Sequence, residues 1–286
     1  INEIALWHQV VLELSSFQLE DLKEVGMSPH LSIVTNITNN HLDRHKSLES
    51  YIEAKKTIIQ YQGPEDFAVL NHDDPELRRW SGATHASVLW FSIKEAVEEG
   101  AFLEKGGISL RVDSKEARIS CLSQVKIPGA HNIQNIMAAS CAALLMSVSI
   151  QDIEDVIKNF SGLEHRLEFV GQVGGTSYYN DSIATTPESA IAGLRSFEGP
   201  LLLIAGGYDK GSPFDAFAEE CARRTKAVIL IGKTAKKIGE LITSKSTGNG
   251  PEVFFASSLS DAVSLARASS RKGDTVLLSP ACASYD

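Results

Sequence analysis

Acidic, hydroxyl and amide side chains stand close together near the start of the sequence. Glu13 ends an apolar run, Ser15 and Ser16 follow it, and Gln18 comes two residues later. A buried parallel strand that ends in a carboxylate presents a metal ligand or a base at the carboxyl edge of an α/β sheet. A structural interpretation competes with this one, in which Ser15 or Ser16 caps a helix. This segment alone leaves both interpretations open.

Two histidines, four residues apart, follow a second apolar run. His41 and His45 would share one face of a helix, which is a spacing found in zinc sites. No third ligand stands at a suitable spacing and no cysteine is nearby, so the pattern disfavours zinc. The structural alternative is a polar loop in which Asp43 and Arg44 form an ion pair.

Two asparagines open a predicted helix in the middle of the sequence. Asn132 and Asn135 are three residues apart, so a helix would place them on the same side. An amide donates and accepts hydrogen bonds together, as recognition of a purine edge requires. The alternative is that Asn132 is only the N-cap of the helix.

Three polar segments in the second half each follow an apolar, β-type run: residues 179–187, 203–211 and 278–284. In the first, Thr185 precedes Pro187 at a predicted helix start, where free N–H groups suit an anion. The second carries Lys210, a cation for a carboxylate or a phosphate. Loops at the carboxyl ends of parallel strands are where α/β domains bind ligands, so these segments predict a binding site. Gly232-Lys233-Thr234 only imitates a P-loop, because Ala227 stands where the first glycine is required.

The elements that must position these residues alternate between strands and helices, which predicts an α/β fold. Predicted strands in the first half span residues 8–14, 31–35, 67–70 and 87–93, followed by a hairpin within 101–125. Predicted helices span residues 48–61, 132–148 and 152–160. After a junction at 161–166 the rhythm restarts, with strands at 176–179, 201–204, 227–231, 253–255 and 275–278 separated by helices. We therefore predict two domains, residues 1–163 and 164–286.

Composition excludes several classes of function. The 286 residues carry a net charge of −9 without a basic run, which argues against nucleic acid and anionic membranes as partners. Four scattered cysteines indicate reduced thiols in a cytoplasmic protein. No residues of the given sequence predict a signal peptide or a membrane-spanning run, so we expect neither in this part of the protein. It begins with Ile1 and stops inside a polar loop, so we interpret it as a fragment of a longer protein.

Together these segments resemble the ATP-dependent Mur ligases. The resemblance rests on residues 13–19, 41–45, 131–135 and 278–284 and covers the whole chain. It implies an N-terminally truncated central ATP- and metal-binding domain with a mostly parallel sheet, followed by a C-terminally truncated, Rossmann-like, amino-acid-binding domain. It also implies amide formation through an acyl phosphate, in particular the addition of D-glutamate to UDP-N-acetylmuramoyl-L-alanine in cytoplasmic peptidoglycan precursor synthesis. Alternatives are another amino acid such as L-glutamate, a folylpolyglutamate-synthetase-like ligase, or a non-catalytic nucleotide-binding relative.

The resemblance also assigns roles to residues. Glu13 and His41 would be ligands of two magnesium ions, and Lys55, as a carbamate, would support the second; Lys56 is the neighbour that competes for this assignment. Ser15 and Gln18 would contact the muramoyl substrate. ATP would be bound by Asn132 and Asn135 at the adenine, by Arg166 at the phosphates and by Asp181 at the nucleoside. The glutamate carboxylates would be bound by Thr185, Lys210 and Ser284. Lys55, His41 and Lys210 are the expected catalytic residues.

Two positions depart from the family pattern. Ile183 stands where the family usually has lysine, which leaves the amino-acid selectivity open, and Asn40 stands where it commonly has aspartate. The sequence has no Walker A motif. We therefore expect this chain by itself not to turn over ATP, and we expect a monomer.

Overall fold

The computed structural model describes residues 5, 8–37, 45, 47–208, 211–248 and 250–283. Strands and helices alternate along the chain and form two mostly parallel sheets, which confirms the predicted α/β class. The chain divides into two compact units, residues 1–122 with 134–155 and residues 123–133 with 156–286. Across the described residues, no helix combines the length and the apolar character that a membrane span needs.

The first unit contains one six-stranded sheet. Its elements are α1 (Ser16–Val25), β1 (Leu31–Val34), α2 (Leu48–Gln60), β2 (Phe67–Asn71), α3 (Pro75–Trp80), β3 (Ser87–Ser92), β4 (Gly100–Glu104), β5 (Gly107–Val112) and β6 (Lys115–Ile119). The helices α4 (Ala130–Leu145) and α5 (Ile150–Asn159) have residues in both units. The strand order is β1-β2-β3-β4-β5-β6, parallel from β1 to β4 and antiparallel from β4 to β6. The hairpin predicted within residues 101–125 is therefore confirmed.

The predicted strand over residues 8–14 is wrong. This segment has no regular secondary structure, and Val11 is 96% exposed. Its apolar composition suits a buried strand, but a strand also needs a hydrogen-bonded neighbour. β1 pairs with β2 along one side, and residues 8–14 do not pair with β1 or with any other described strand.

The second unit contains another six-stranded sheet, whose order is β11-β10-β9-β12-β8-β7. Its elements are β7 (Glu168–Val173), β8 (Thr176–Asn180), α6 (Pro187–Leu194), β9 (Leu201–Gly206), α7 (Asp215–Arg224), β10 (Thr225–Ile231), α8 (Ala235–Lys245), β11 (Glu252–Phe255), α9 (Leu259–Ser269) and β12 (Thr275–Leu278). All neighbours are parallel except β7 and β8. The sequence predicted every strand of this sheet except β7.

The path of the chain reverses direction in this second sheet. From β9 the chain proceeds outward to β10 and β11, and β12 then returns to the other side of β9, next to β8. Such a reversal opens a crevice at the carboxyl ends of the strands on either side of it. The segments that follow β8, β9 and β12 are the three polar segments singled out in the sequence.

One buried carboxylate fastens α6 to α7. The Glu220 side chain is 6% exposed and pairs with Arg195, Arg223 and Arg224. Burial alone would raise the pKa of Glu220, but the hydrogen bonds from the three arginines outweigh burial and lower this pKa to about 2. The ionised form is therefore strongly favoured in the folded unit.

Glu220→Gln should lower the free energy of unfolding by roughly 2 kcal/mol at neutral pH. Because the folded-state pKa lies below the ordinary 4.5, Glu220 contributes fully above pH 4.5, and its contribution is lost as the pH falls toward 2. The difference between wild type and variant should therefore shrink in acid.

Urea unfolding followed by circular dichroism measures this effect. All three tryptophans precede residue 91, so a transition seen by dichroism but not by tryptophan fluorescence reports the second unit. The exposed neighbour provides the control, because Glu219→Gln should leave stability unchanged. Equal losses from the two variants would contradict the role of Glu220.

Candidate functional site

The serine and glutamine of the first motif cap α1. Ser15 is the N-cap, its Oγ accepts a hydrogen bond from the Gln18 N–H, and the Ser15 N–H donates to Gln18 Oε1 at 2.8 Å. This is a capping box, so the helix-capping interpretation of the segment is confirmed for Ser15. Both side chains are exposed, and Glu13, in the irregular segment before the helix, is exposed as well.

Lys55 lies on α2 with its ammonium group partly buried. Its Nζ is 5.5 Å from the centroid of the Tyr51 ring, one helical turn away. Burial lowers the pKa of Lys55, and the negative charge of Glu13 partly opposes this shift. The structure therefore brings Glu13 and Lys55, two of the three predicted metal-site residues, within electrostatic range of each other.

The buried imidazole of His45 ties α1 to α2. Its Nε2 lies 2.8 Å from Ser16 Oγ and its Nδ1 lies 3.5 Å from Glu20 Oε1. The ring stacks on Phe17 and meets the edge of Tyr51, with centroid distances of 5.5 Å in both cases. Both ring nitrogens thus have partners on α1. Within the described residues, no group of three His, Cys, Asp or Glu side chains is arranged to hold a metal ion.

Three predicted residues lie outside the described residues, namely His41, Lys210 and Ser284. Asp43 and Arg44, the proposed ion pair, also fall there. The expectations for these five residues therefore stay predictions.

The two asparagines of the third motif lie on the first turns of α4. The helix begins at Ala130, so Asn132 is its third residue rather than its N-cap. Asn132 is buried and its Nδ2 donates to the Pro128 carbonyl at 2.7 Å, whereas Asn135 is exposed. Burial lowers the pKa of the neighbouring His131, and the positive charge of Arg166 lowers it further. Arg166 therefore lies within electrostatic range of the start of α4.

Arg166 is presented by a turn with unusual backbone geometry. The residues on either side of it, His165 and Leu167, have φ values of 66° and 45°. Side chains rarely tolerate this left-handed region, at a cost of about 1–3 kcal/mol per residue, so surrounding contacts must hold the turn. The guanidinium is exposed.

Asp181 is one of the groups that hold this turn. Its carboxylate is buried and accepts hydrogen bonds from the Leu167 N–H at 3.2 Å and from Ser279 Oγ at 2.8 Å. Burial raises the pKa of Asp181, while these two hydrogen bonds and the charge of Arg166 oppose the shift. The structure thus brings Arg166 and Asp181 together, and it gives Asp181 two protein partners that the sequence did not predict.

The segments that follow β8, β9 and β12 meet, as their positions predicted. The N–H of Ala281 donates to the Ala184 carbonyl at 2.9 Å, and the N–H of Gly206 donates to the Pro280 carbonyl at 2.9 Å. A Cβ at Gly206 would lie 2.1 Å from the Ile231 carbonyl oxygen, so this close approach requires glycine. Thr185, exposed at this edge, precedes Thr186, the N-cap of α6, and Pro187, which begins the helix as predicted.

Thr234 fastens a fourth segment to this edge. Its buried hydroxyl donates to the Gly207 carbonyl at 3.1 Å, accepts from the Gly207 N–H at 3.0 Å, and lies 3.3 Å from Cys282 Sγ. Thr234, the last residue of the segment Gly232-Lys233-Thr234 that imitates a P-loop, therefore has a structural role. Sequence reasoning missed Thr234 and Ser279 because each is a single hydroxyl whose partner lies far away in the sequence.

Comparisons with known proteins identify the family. The Mur ligase middle-domain model matches residues 6–143, and the model described as the Mur ligase, glutamate ligase domain matches residues 165–282. The chain belongs to the Mur ligase family. The predicted resemblance is therefore confirmed.

Curated relatives match over the full chain. The UDP-N-acetylmuramoylalanine–D-glutamate ligase of Thermoanaerobacter pseudethanolicus is 42% identical over 286 residues, which are 100% of this chain and 62% of that protein. The enzyme of the same name from Clostridium kluyveri is 44% identical over 288 residues, covering 100% and 61%. The chain thus spans about three fifths of the length of the relatives it matches.

Solved Mur ligase structures share the fold. MurF from Acinetobacter baumannii has a TM-score of 0.67 at 17% identity, covering 89% of this chain and 57% of that one. MurF from Thermotoga maritima, solved in complex with ADP, has a TM-score of 0.62 at 20% identity, covering 88% and 58%. At these identities the similarity establishes the architecture alone.

Proposed function

We propose that this Mur ligase chain is part of an ATP-dependent ligase that adds D-glutamate to UDP-N-acetylmuramoyl-L-alanine. The observation that carries the proposal is the 42% identity to a ligase of that name over all 286 residues. The two domains would be residues 1–163, for ATP and metal, and residues 164–286, for the amino acid. The enzyme would act as a monomer in the cytoplasm, without nucleic acid or membrane partners.

Lys55 fits the proposed role as a carbamate. Carbon dioxide reacts with a neutral amine, and the lowered pKa of Lys55 increases the neutral fraction. The carbamate would place oxygen atoms, which magnesium prefers, near the Glu13 carboxylate. Glu13, His41 and carbamylated Lys55 would then hold two magnesium ions, which when bound neutralise negative charge on the reacting phosphoryl and carboxylate oxygens.

Arg166, Asp181, Asn132 and Asn135 would bind ATP. The exposed guanidinium of Arg166 is available to phosphate oxygens. The left-handed turn formed by its two neighbours holds the backbone that carries this side chain. Asn135 would contact the adenine with its exposed amide. Asn132 would contact the adenine and Asp181 the nucleoside. Through their buried hydrogen bonds, Asn132 would also orient the start of α4 and Asp181 the turn that carries Arg166.

Chemistry proceeds in two steps in this proposal. The substrate carboxylate oxygen attacks the γ-phosphorus of ATP, so that ADP leaves and an acyl phosphate forms. The amine of D-glutamate then attacks the acyl carbon, loses a proton, and expels phosphate to leave the amide. Arg166 and Lys210 would stabilise the developing negative charge, while Ser15 and Gln18 would position the muramoyl peptide.

The amino acid would bind at the crevice of the second sheet. Thr185, Lys210 and Ser284 would hold its carboxylates, and Thr185 lies beside the N-terminus of α6, where N–H groups favour an anion. Ile183, 51% exposed, stands two residues before Thr185 and offers no cation there. This observation keeps L-glutamate, or another amino acid, as the second candidate substrate.

ADP release by the full-length protein tests the proposal. The assay contains ATP, magnesium and UDP-N-acetylmuramoyl-L-alanine, with D-glutamate, L-glutamate and other amino acids compared in parallel. We expect release that depends on D-glutamate. ADP release with only another amino acid would support ligase chemistry but reject D-glutamate as the substrate. No ADP release with any amino acid would reject the proposed ligase function.

A further inference from the structure

A second carboxylate, Glu168, also holds the turn that presents Arg166. Glu168 Oε2 accepts a hydrogen bond from the His165 N–H at 2.8 Å. The same oxygen accepts one from Asn180 Nδ2 at 3.2 Å. Glu168 and Asn180 are directly opposite each other where β7 pairs with β8, so the ladder itself brings the two side chains together.

Asn180 completes this contact because its amide orientation is fixed. Its Oδ1 accepts from the Ser182 N–H at 3.1 Å, which turns Nδ2 toward Glu168 and toward His165 Nδ1, 2.9 Å away. The Asn180 amide thus lies within hydrogen-bond distance of the His165 ring as well as of Glu168. Both the backbone and the ring of His165 are therefore held by the pair Glu168 and Asn180.

The same turn is connected to the segment that leads to the proposed amino-acid site. The N–H of Ile183 donates to the His165 carbonyl at 3.2 Å, and the N–H of Thr185 donates to the Ile183 carbonyl at 2.8 Å. Both backbone neighbours of Arg166 are thus held by a carboxylate. Glu168 accepts a hydrogen bond from the His165 N–H, and Asp181 accepts one from the Leu167 N–H. Without them, the left-handed backbone at His165 and Leu167 would relax to commoner conformations.

We propose that Glu168, together with Asn180, is a positioning residue that holds the left-handed turn at His165 and thereby sets Arg166 for the nucleotide phosphates. The proposal rests on the proposed function in one respect only, the binding of ATP beside Arg166. In this role Glu168 acts through its hydrogen bond to the His165 backbone.

Nucleotide binding and amide exchange test this role. Calorimetry on the full-length protein should show that Glu168→Ala weakens ADP binding about tenfold, and the KM for ATP should rise similarly while the KM for the amino acid stays within about twofold. Glu168→Gln should restore most of the affinity, because one amide oxygen can replace Oε2 as acceptor for both donors. Asn180→Asp should behave like Glu168→Ala, because it replaces the donor with a second carboxylate.

Glu164→Ala is the matched control, since Glu164 is an exposed carboxylate in the same turn region. Hydrogen exchange of the His165 amide should accelerate in Glu168→Ala but not in Glu168→Gln or Glu164→Ala. Wild-type ADP affinity in Glu168→Ala, or no recovery in Glu168→Gln, would overturn the inference. Normal ADP binding by the wild type without glutamate-dependent ADP release would instead reject the proposed ligase function and leave this inference standing.

Discussion

Replacing Lys55 by alanine in the full-length protein should lower the rate of ADP formation by on the order of 10³-fold. The alanine removes the amine that would become a carbamate and with it the proposed oxygen ligands of the second metal ion. A short carboxylic acid such as acetate should restore part of the rate, because its carboxylate fits the space left by the side chain. Steady-state ADP release with and without the acid measures both effects.

The adjacent lysine provides the control. Lys56 lies on the same turn of α2 and its Nζ is 3.9 Å from Glu53 Oε1, a surface ion pair that contributes little. Lys56→Ala should therefore keep nearly the full rate. A Lys55→Ala enzyme as active as wild type would show that Lys55 is an ordinary partly buried lysine, and loss of activity in Lys56→Ala alone would exchange the two assignments.

Arg166→Ala should lower kcat/KM for ATP by about 10²-fold to 10³-fold, because a cation that meets charge developing on a phosphoryl group contributes that much. Arg166→Lys should recover only part of the loss, since an ammonium lacks the two-pronged donor geometry. The kinetic constants for ATP in the full-length protein measure this prediction.

A second readout of Arg166→Ala needs no activity. The positive charge of Arg166 helps to lower the pKa of His131, so its removal should raise that pKa, although burial will keep it below the ordinary value. Arg166→Lys should leave the His131 pKa nearly unchanged because the charge remains. Titration of the His131 ring by NMR follows this change, and an unchanged His131 pKa in Arg166→Ala would contradict the proximity of the two residues.

The centre of the second sheet could be predicted from the sequence because β9 and β10 are buried on both faces. Runs such as residues 201–206 and 227–231 are continuously apolar and are separated by helical segments, a pattern typical of parallel strands. β7 was not predicted because it is an exposed edge strand, in which Phe169 and Val173 are exposed to solvent. Its pairing with β8 is also irregular between Phe169 and Gly171. Its position depends on pairing with β8, which local composition does not encode.

The segment 8–14 shows the opposite error. Its apolar residues satisfied the composition of a buried strand, yet composition does not specify a hydrogen-bonding partner. Ser15, by contrast, was predictable as a cap, because the Ser-x-x-Gln pattern is satisfied by contacts within four residues.

The candidate site was predictable to the extent that its chemistry is local. Polar motifs after apolar runs located the segments that follow β8, β9 and β12, and the structure brings those segments together. The supporting groups could not be found in this way. Ser279 meets Asp181 across 98 residues of sequence, and Glu168 reaches Asn180 only because β7 and β8 pair in one particular register.

Oxygen labelling can show whether ATP activates the substrate carboxylate for attack by D-glutamate, as proposed. UDP-N-acetylmuramoyl-L-alanine carrying ¹⁸O in both carboxylate oxygens would be incubated with the full-length protein, ATP, magnesium and D-glutamate. Mass spectrometry should find one ¹⁸O in each released phosphate and one retained in the new amide, because the acyl phosphate donates its bridging oxygen to phosphate. Unlabelled phosphate, or labelled phosphate formed equally well without D-glutamate, would contradict the proposed ligase reaction.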